Sequence, residues 1–242
     1  MLKPSERDKV KPIRRGLIGN ALAFIGNTMA DLLTDLSCRG LENLPQEGPY
    51  LICVNHETFV DGLMVLRFLP GEHFQRTSVI AGADLAEDYG LFGQLMLKYG
   101  RALPIDRLHG HASASILAAV DMLNEGNILV IHPEGTRSEN GQLGKIHSGA
   151  SLIAKRANVP MVPVFIDGAY EVFNRHMKFP KFKDADGKKK KIIIHFGAPI
   201  HPDNYRNTRM LSNALEQWMH EMFKHKVIPR RFGPDGYAIV DH

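Results

Sequence analysis

The sequence predicts an α/β domain: a mostly parallel, mixed sheet flanked by helices, with an apolar helical segment in front of it. Three observations carry that prediction. The 242 residues are 44% apolar and 23% charged, the proportions of a globular chain large enough to bury a real core and unlike those of disordered, collagenous or coiled-coil chains. Past Gly40, short apolar runs alternate with segments of helical periodicity, the rhythm of strands joined by crossover helices. Two cysteines, Cys38 and Cys53, cannot supply a disulfide framework or a four-thiolate zinc site, so the chain reads as intracellular and held together by its core, with no redox chemistry indicated.

Taken in order, the first fifteen residues are basic, ending in Lys11, Arg14 and Arg15, and give way at Gly16 to a stretch without charge until Asp31. Leu17, Ala21, Phe24, Ile25, Thr28 and Leu32 fall at helical spacing, while Ile18, Leu22, Met29 and Leu33 make the other face apolar too. Such a helix needs burial, either as a core helix packed on the domain or as an interfacial helix in lipid headgroups with its basic flank on anionic lipid. No run of eighteen apolar residues occurs, which argues against a simple spanning helix. The order resembles a signal peptide, yet the stretch continues through Asn20, Asn27 and Asp31 without a convincing cleavage site, which argues against export. Residues 1–39 are therefore set apart from an α/β domain over 40–242.

Within that domain the expected strands are Tyr50 to Val54, Ser78 to Ala81, Ile128 to Ile131, Met161 to Phe165 and Lys191 to Phe196. Helices are expected over Leu91 to Tyr99, Ser113 to Leu123 and Gly149 to Ala157, with Asn124, Glu125 and Gly126 stopping the second. Between Phe179 and Lys191, Lys181, Lys183, Lys188, Lys189, Lys190 and Lys191 surround Asp184, Asp186 and Gly187, a hairpin-like loop entering a strand. A lysine run of this kind is either simply solvated or attracted to lipid headgroups or an acidic carrier protein. Leu211, Leu215, Trp218 and Met222 mark a last amphipathic helix. The net charge of +4 and pI near 9.0 suit phosphates or an anionic membrane without choosing between them.

Chemistry concentrates at two strand ends. Asn55, His56, Glu57, Thr58, Phe59, Val60 and Asp61 follow the first strand. Five positions apart, His56 and Asp61 meet only if the chain turns from strand to helix between them. If they do, the carboxylate fixes one ring nitrogen and leaves the other basic: a general base awaiting a hydroxyl, where a lone histidine would be structural. His132, Pro133, Glu134, Gly135, Thr136, Arg137 and Ser138 follow the third strand and should reach the same carboxyl edge, where open α/β sheets bind ligands. There Glu134 is expected to project toward a hydroxyl or cation, and Arg137 toward a phosphate. Gly100 to Arg107 adds guanidinium groups, and Val162, Pro163, Val164 and Phe165 read as wall.

These four pieces, in this order, resemble the lysophospholipid acyltransferase family, the group containing 1-acylglycerol-3-phosphate acyltransferase. His56 through Asp61 is similar to that family's HxxxxD motif, Pro104-Ile105-Asp106-Arg107 to its second motif, Pro133-Glu134-Gly135-Thr136-Arg137-Ser138 to its third, PEGTRS, and Val162-Pro163-Val164 to its fourth. The similarity runs from about residue 40 to residue 200. Two departures stand out: His132 occupies a place where an aromatic residue often precedes the proline, and Lys145-Ile146-His147-Ser148-Gly149 replaces the usual lysine-glycine pair.

The resemblance implies acyl transfer from acyl-CoA or acyl carrier protein to the hydroxyl of a lysophospholipid, with lysophosphatidic acid the leading acceptor. His56 would be the base and Asp61 its orienting partner. Arg107 and Arg137 would clamp the acceptor phosphate, Glu134 would bind an acceptor hydroxyl or steady an arginine, and Gly135 and Thr136 would complete the binding loop. Backbone amides after His56 are one candidate for the oxyanion. A neutral imidazole is needed, so activity should rise through about pH 6 to 7. The expected partners are membrane lipids and the acyl donor at the cytoplasmic face, with no metal, no further cofactor and no nucleic acid. Rival readings are weaker: the chain has no GxSxG elbow, no HExxH and no nucleic-acid module. Action on a different amphipathic acceptor, or non-catalytic membrane binding, are the alternatives.

Overall fold

The computed structural model describes residues 15–82, 90, 93–94, 101–105 and 112–240. Seven strands form one sheet: β1 (Asp35–Arg39), β2 (Leu51–Val54), β3 (Thr77–Gly82), β4 (Ala102–Ile105), β5 (Ile128–Ile131), β6 (Met161–Asp167) and β7 (Lys191–Phe196). Their order is β1-β7-β6-β2-β5-β3-β4, and every pairing is parallel except that of β6 with β7. The mostly parallel mixed sheet of the sequence analysis is thus the observed one.

The central strands β2 and β6 are buried along their whole length because both faces of the sheet are covered, so they read as unbroken apolar runs. Alternate side chains feed two cores. Leu51, Cys53, Leu129, Met161 and Phe165 pack with helices α4 (Ala112–Asn124), α5 (Gly149–Ala157) and α7 (Thr208–Lys224) on one face. Tyr50, Ile52, Val54, Val130, Val164 and Ile194 pack on the other with Val65 and Leu66 of helix α2 (Asp61–Leu66) and Ala169 and Val172 of helix α6 (Ala169–Phe173). Helix α3 (Gly71–Arg76) leads into β3. Asn207 caps α7 by accepting from the Met210 amide, and Asn158 closes α5 in the left-handed conformation that asparagine tolerates.

Two strands were not expected. β1 lies inside the segment set apart as residues 1–39, yet it pairs in register with β7, Asp35 opposite Lys191 through Arg39 opposite His195, so the domain begins at Asp35 rather than Gly40. As an edge strand with alternately exposed residues it lacks the apolar run that marks β2 and β6. β4 fills the other edge. The helix expected over Leu91 to Tyr99 falls almost wholly outside the described residues, as does Arg107.

Helix α1 (Gly16–Leu33) is long and apolar enough to cross a bilayer by length and composition, which the sequence analysis argued against. It is not a core helix: Gly19 is its one buried residue, while Leu17, Phe24 and Leu32 are 90%, 73% and 69% exposed. Polar contacts moor it along α2 and α3. Arg15 reaches the Phe74 carbonyl, Gln75 Nε2 donates to Asn20 Oδ1 at 2.7 Å, and Arg67 donates to the Asn27 carbonyl at 3.0 Å and pairs with Asp31.

Candidate active site

Adjacent parallel strands β2 and β5 deliver both motif loops to one edge, since Cys53 is opposite Ile131 and each loop starts just beyond. Between β2 and α2 the chain makes the turn that a five-residue spacing requires. Asp61 is the first residue of α2 and completely buried, and its Oδ2 lies 3.0 Å from Nδ1 of His56, whose side chain is 12% exposed. The Asp61 carboxylate is held from all sides: Oδ2 accepts the Glu57 and Thr58 amides at 2.6 and 2.8 Å, and Oδ1 accepts the Thr58 hydroxyl at 2.7 Å. Burial pushes Asp61 up to about 6, against the downward pull of these donors. Above that value it is an anion able to orient His56 and balance an imidazolium. With the proton on Nδ1, the basic lone pair is on Nε2.

Asn55 fixes the start of the turn by copying a β-ladder: Nδ2 donates to the Ile166 carbonyl at 3.0 Å and Oδ1 accepts the Ile166 amide at 2.6 Å. The third-motif loop grips the His56 backbone at both ends. Glu134 Oε1 accepts the His56 amide at 2.7 Å, and the Ser138 amide donates to the His56 carbonyl at 2.7 Å.

Glu134 therefore departs from its expected role. It does not project toward a ligand; it is buried, with Oε1 on His56 and Oε2 accepting the Gly144 amide at 2.6 Å. Burial pushes it up to about 7, opposed by those two amides. The position of Gly144 is tight, because a Cβ there would lie 2.7 Å from Glu134 Oε2. Gly135, by contrast, would bring a Cβ only into ordinary contact with the His147 ring at 3.7 Å, but it takes φ +74°, a left-handed turn that glycine supplies without strain. Gly135 and Thr136 are exposed and Arg137 is half-buried at the mouth of the site.

The oxyanion expectation also needs correcting. The amides of Glu57, Thr58 and Val60 are all taken up within the turn, the last by Thr58 Oγ1 at 3.1 Å, so they are not aimed at a substrate.

His132 was noted in sequence only as a departure from the family pattern, and its geometry explains it. Its ring stacks on His56, centroids 3.8 Å apart and planes 13° from parallel, as an aromatic ring in that place would. Nδ1 lies 3.2 Å from the carbonyls of both Val54 and Asn55, which makes it the protonated nitrogen. Burial, followed by the neighbouring His56, pushes its pKa down to about 3, so the ring is a neutral support. His56, Asp61 and His132 offer ligand atoms within 4.8 Å of one another, but near-parallel stacked rings cannot both aim in-plane lone pairs at one ion about 2.1 Å away.

Glu57 and Arg230 were missed as well. Glu57 Oε2 accepts the Tyr170 amide at 2.8 Å, and Oε1 accepts from Arg230 at 2.8 Å. Arg230 also grips both oxygens of Glu171 and the Gly141 carbonyl, and it lies over the Tyr170 ring. The pair is nearly inaccessible, at 2% and 5% exposure. Burial opposes the Arg230 charge, but Glu57 and then Glu171 more than offset it and hold the guanidinium above its ordinary value. A glutamate directly after the candidate base was the one signal available in sequence. Its partner, 173 positions away, had none.

Comparison with known proteins identifies the family and the fold. Residues 35–167 match the family model described as Acyltransferase. A probable 1-acyl-sn-glycerol-3-phosphate acyltransferase of Mycoplasma pneumoniae is 29% identical over 179 residues, covering 73% of this chain and 66% of that protein. The human 1-acyl-sn-glycerol-3-phosphate acyltransferase beta is 30% identical over 143 residues, covering 58% of this chain and 49% of its own length. The chain thus spans between about half and two thirds of these two curated relatives. The crystal structure of the 1-acyl-sn-glycerophosphate acyltransferase PlsC from Thermotoga maritima shares the fold, with a TM-score of 0.67 at 19% identity over 95% of this chain and 86% of that one. With more than half of its length matched, and with the His56–Asp61 pair assembled at the sheet edge, the chain belongs to the acyltransferase family.

Proposed function

We propose that the protein transfers a fatty acyl group from an acyl thioester, acyl-CoA or acyl carrier protein, to the free hydroxyl of a lysophospholipid, foremost 1-acylglycerol-3-phosphate, yielding phosphatidic acid. The observation that carries this reading is the 3.0 Å contact between His56 Nδ1 and a buried Asp61 whose other hydrogen bonds hold it in place. His56 Nε2 takes the proton of the acceptor hydroxyl as its oxygen attacks the thioester carbonyl. The tetrahedral intermediate then collapses, the C–S bond breaks, and the imidazolium returns the proton to the departing thiolate, without an acyl-enzyme. Arg137, half-buried and next to the Ser138 that grips His56, would meet the acceptor phosphate, and Arg107, which lies outside the described residues, is the second cation expected from the sequence. Glu134 and Glu57 position the base rather than the substrate.

Substrate and product both prefer the bilayer, so the site needs access to an interface. The exposed apolar side chains of α1 supply it, and mooring along α2 and α3 favours a helix lying in the headgroup region over one that spans, at the cytoplasmic face. The test is transfer of a labelled acyl group from both donors to a panel of lyso-lipids in detergent, wild type against His56→Ala. Transfer to a phosphate-bearing acceptor that the substitution abolishes is expected. Transfer that survives it, or none from either donor, overturns the reading.

A further inference from the structure

The positive charge of this chain is unevenly placed. Between Arg175 and Lys191 there are eight lysine and arginine side chains against two aspartates, a net of +6 in seventeen residues, compared with +4 for all 242. The rest of the chain is therefore slightly acidic.

This segment is an ordered hairpin. The Asp184 amide donates to the Lys188 carbonyl and the Lys190 amide to the Phe182 carbonyl, both at 2.8 Å, and Lys183 pairs with Lys189 across an antiparallel bridge. That pairing sets two lysines directly opposite one another, which costs stability. The ion pairs of the segment, Lys188 with Asp186 at its tip and Arg175 with Glu139 at its start, are exposed and contribute little to folding. Phe179, at the base of the hairpin, is 72% exposed with Lys178 Nζ 6.0 Å from its ring. The hairpin also meets α1, because Lys189 Nζ donates to the Asp31 carbonyl at 2.8 Å, at the end of the helix opposite its basic leader.

We propose that the 175–191 hairpin is a second membrane-contact element, specific for anionic phospholipid, with its exposed lysines Lys178, Lys183 and Lys188 on the headgroups and Phe179 dipping beneath them, while Lys190 is buried against the Glu171 carbonyl. The proposal rests on the reading of α1 as an interfacial helix. Four to eight basic residues beside an interfacial helix are the pattern that an anionic leaflet attracts, and a bare aromatic beside them adds apolar area that water does not favour. The hairpin thus sets positive charge beside the carboxyl end of α1, and in sequence the basic leader precedes its amino end. Apart from the Lys189 contact with Asp31, folding accounts for neither the facing lysines nor the uncovered ring; an anionic membrane, charged at its surface and apolar beneath, accounts for both.

The experiment is flotation of the full chain with vesicles of phosphatidylcholine alone and of phosphatidylcholine containing phosphatidylglycerol, at low and high salt, for wild type, the triple variant Lys178→Gln, Lys183→Gln, Lys188→Gln, and Phe179→Ser. Wild type should favour the anionic vesicles in a salt-sensitive way. The triple variant should lose that preference by at least about tenfold, while still binding phosphatidylcholine through α1 and still acylating detergent-dispersed acceptor at the wild-type rate. Phe179→Ser should weaken binding to both vesicles. Wild type that binds neither vesicle overturns the α1 reading and this proposal with it. Wild type that binds both equally, or a triple variant that keeps the preference, overturns the hairpin proposal alone. A triple variant that floats like wild type but loses transfer from acyl carrier protein and not from acyl-CoA also overturns it, by assigning the hairpin to an acidic protein.

Discussion

Two regions of this molecule treat water in opposite ways. Around His56, polar groups are removed from solvent and then paired: Asp61 accepts from four donors, Glu134 from two amides, and Glu57 from an amide and a guanidinium. Along α1, apolar groups stay in solvent and find little to pack on. A buried polar group left unpaired costs more than an exposed methyl, so the first region has one workable arrangement and therefore holds a base in place. The second keeps a contiguous apolar face, which in a lone soluble chain signals a missing partner.

Substitutions should separate the two regions. The largest effect is expected from His56→Ala, with transfer falling by about 10² to 10⁴-fold while the thermal midpoint holds, because that ring accepts a proton but carries little of the core. Initial rates and a melting curve on the same preparation check this, and a substantial residual rate would mean another base serves. Next is Arg230→Met, which leaves the buried Glu57 and the half-buried Glu171 without their counter-charge and should cost about 3–5 kcal/mol in denaturant unfolding. Adding Glu57→Gln should recover part of that loss. If Arg230→Met unfolds like wild type, the carboxyl-terminal segment does not brace the turn.

Glu134→Gln should cost about 1–3 kcal/mol and lower the rate, since an amide NH₂ would confront one of the two N–H groups that the carboxylate now accepts. A normal rate would show that the clamp on His56 is dispensable.

pH should divide stability from activity in this region. Asp61 and Glu134 stand at about 6 and about 7 when folded, above their ordinary values of 3.8 and 4.5. The folded state thus binds their protons more tightly, and the stability they contribute is present below about pH 4 and lost as pH rises through 6 to 7. Activity runs the other way, because Asp61 must be ionised to orient His56. Denaturation midpoints and kcat/KM measured from pH 5 to 8 should trend in opposite directions, and parallel trends would remove these two groups from the account.

The smallest effects are the most discriminating. His132→Phe keeps the stacked ring and loses the hydrogen bonds of Nδ1, so activity should fall only a few-fold, checked by steady-state rates. Leu17→Ser, Phe24→Ser and Leu32→Ser together should shift unfolding by no more than about 0.5 kcal/mol per site yet abolish flotation with phosphatidylcholine vesicles. A large loss of stability would mean that α1 is a structural helix after all.

What was legible in the sequence depended on range. The strands β2, β5 and β6 showed as apolar runs because both sheet faces are buried, and the ends of β2 and β5 marked the sheet edge where chemistry gathers. The edge strand β1, half-exposed and only five residues long, carried no such run and was assigned to the wrong side of a boundary. His56 and Asp61 were readable because their spacing of five is local, and the turn that joins them follows directly from it.

By itself, then, the sequence determined the layered α/β architecture, the spacing of the candidate base and its carboxylate, the motif order that marks the family, and the existence of an apolar leading helix and a lysine-rich loop. Tertiary structure alone decided that Glu134 turns inward to hold His56 from 78 positions away, that Arg230 closes over Glu57, that His132 stands in for an aromatic ring, and that α1 stays uncovered. Periodicity and spacing report on neighbours along the chain. The partner of a buried charge is set by which strands lie side by side, and that becomes known only when the sheet is assembled.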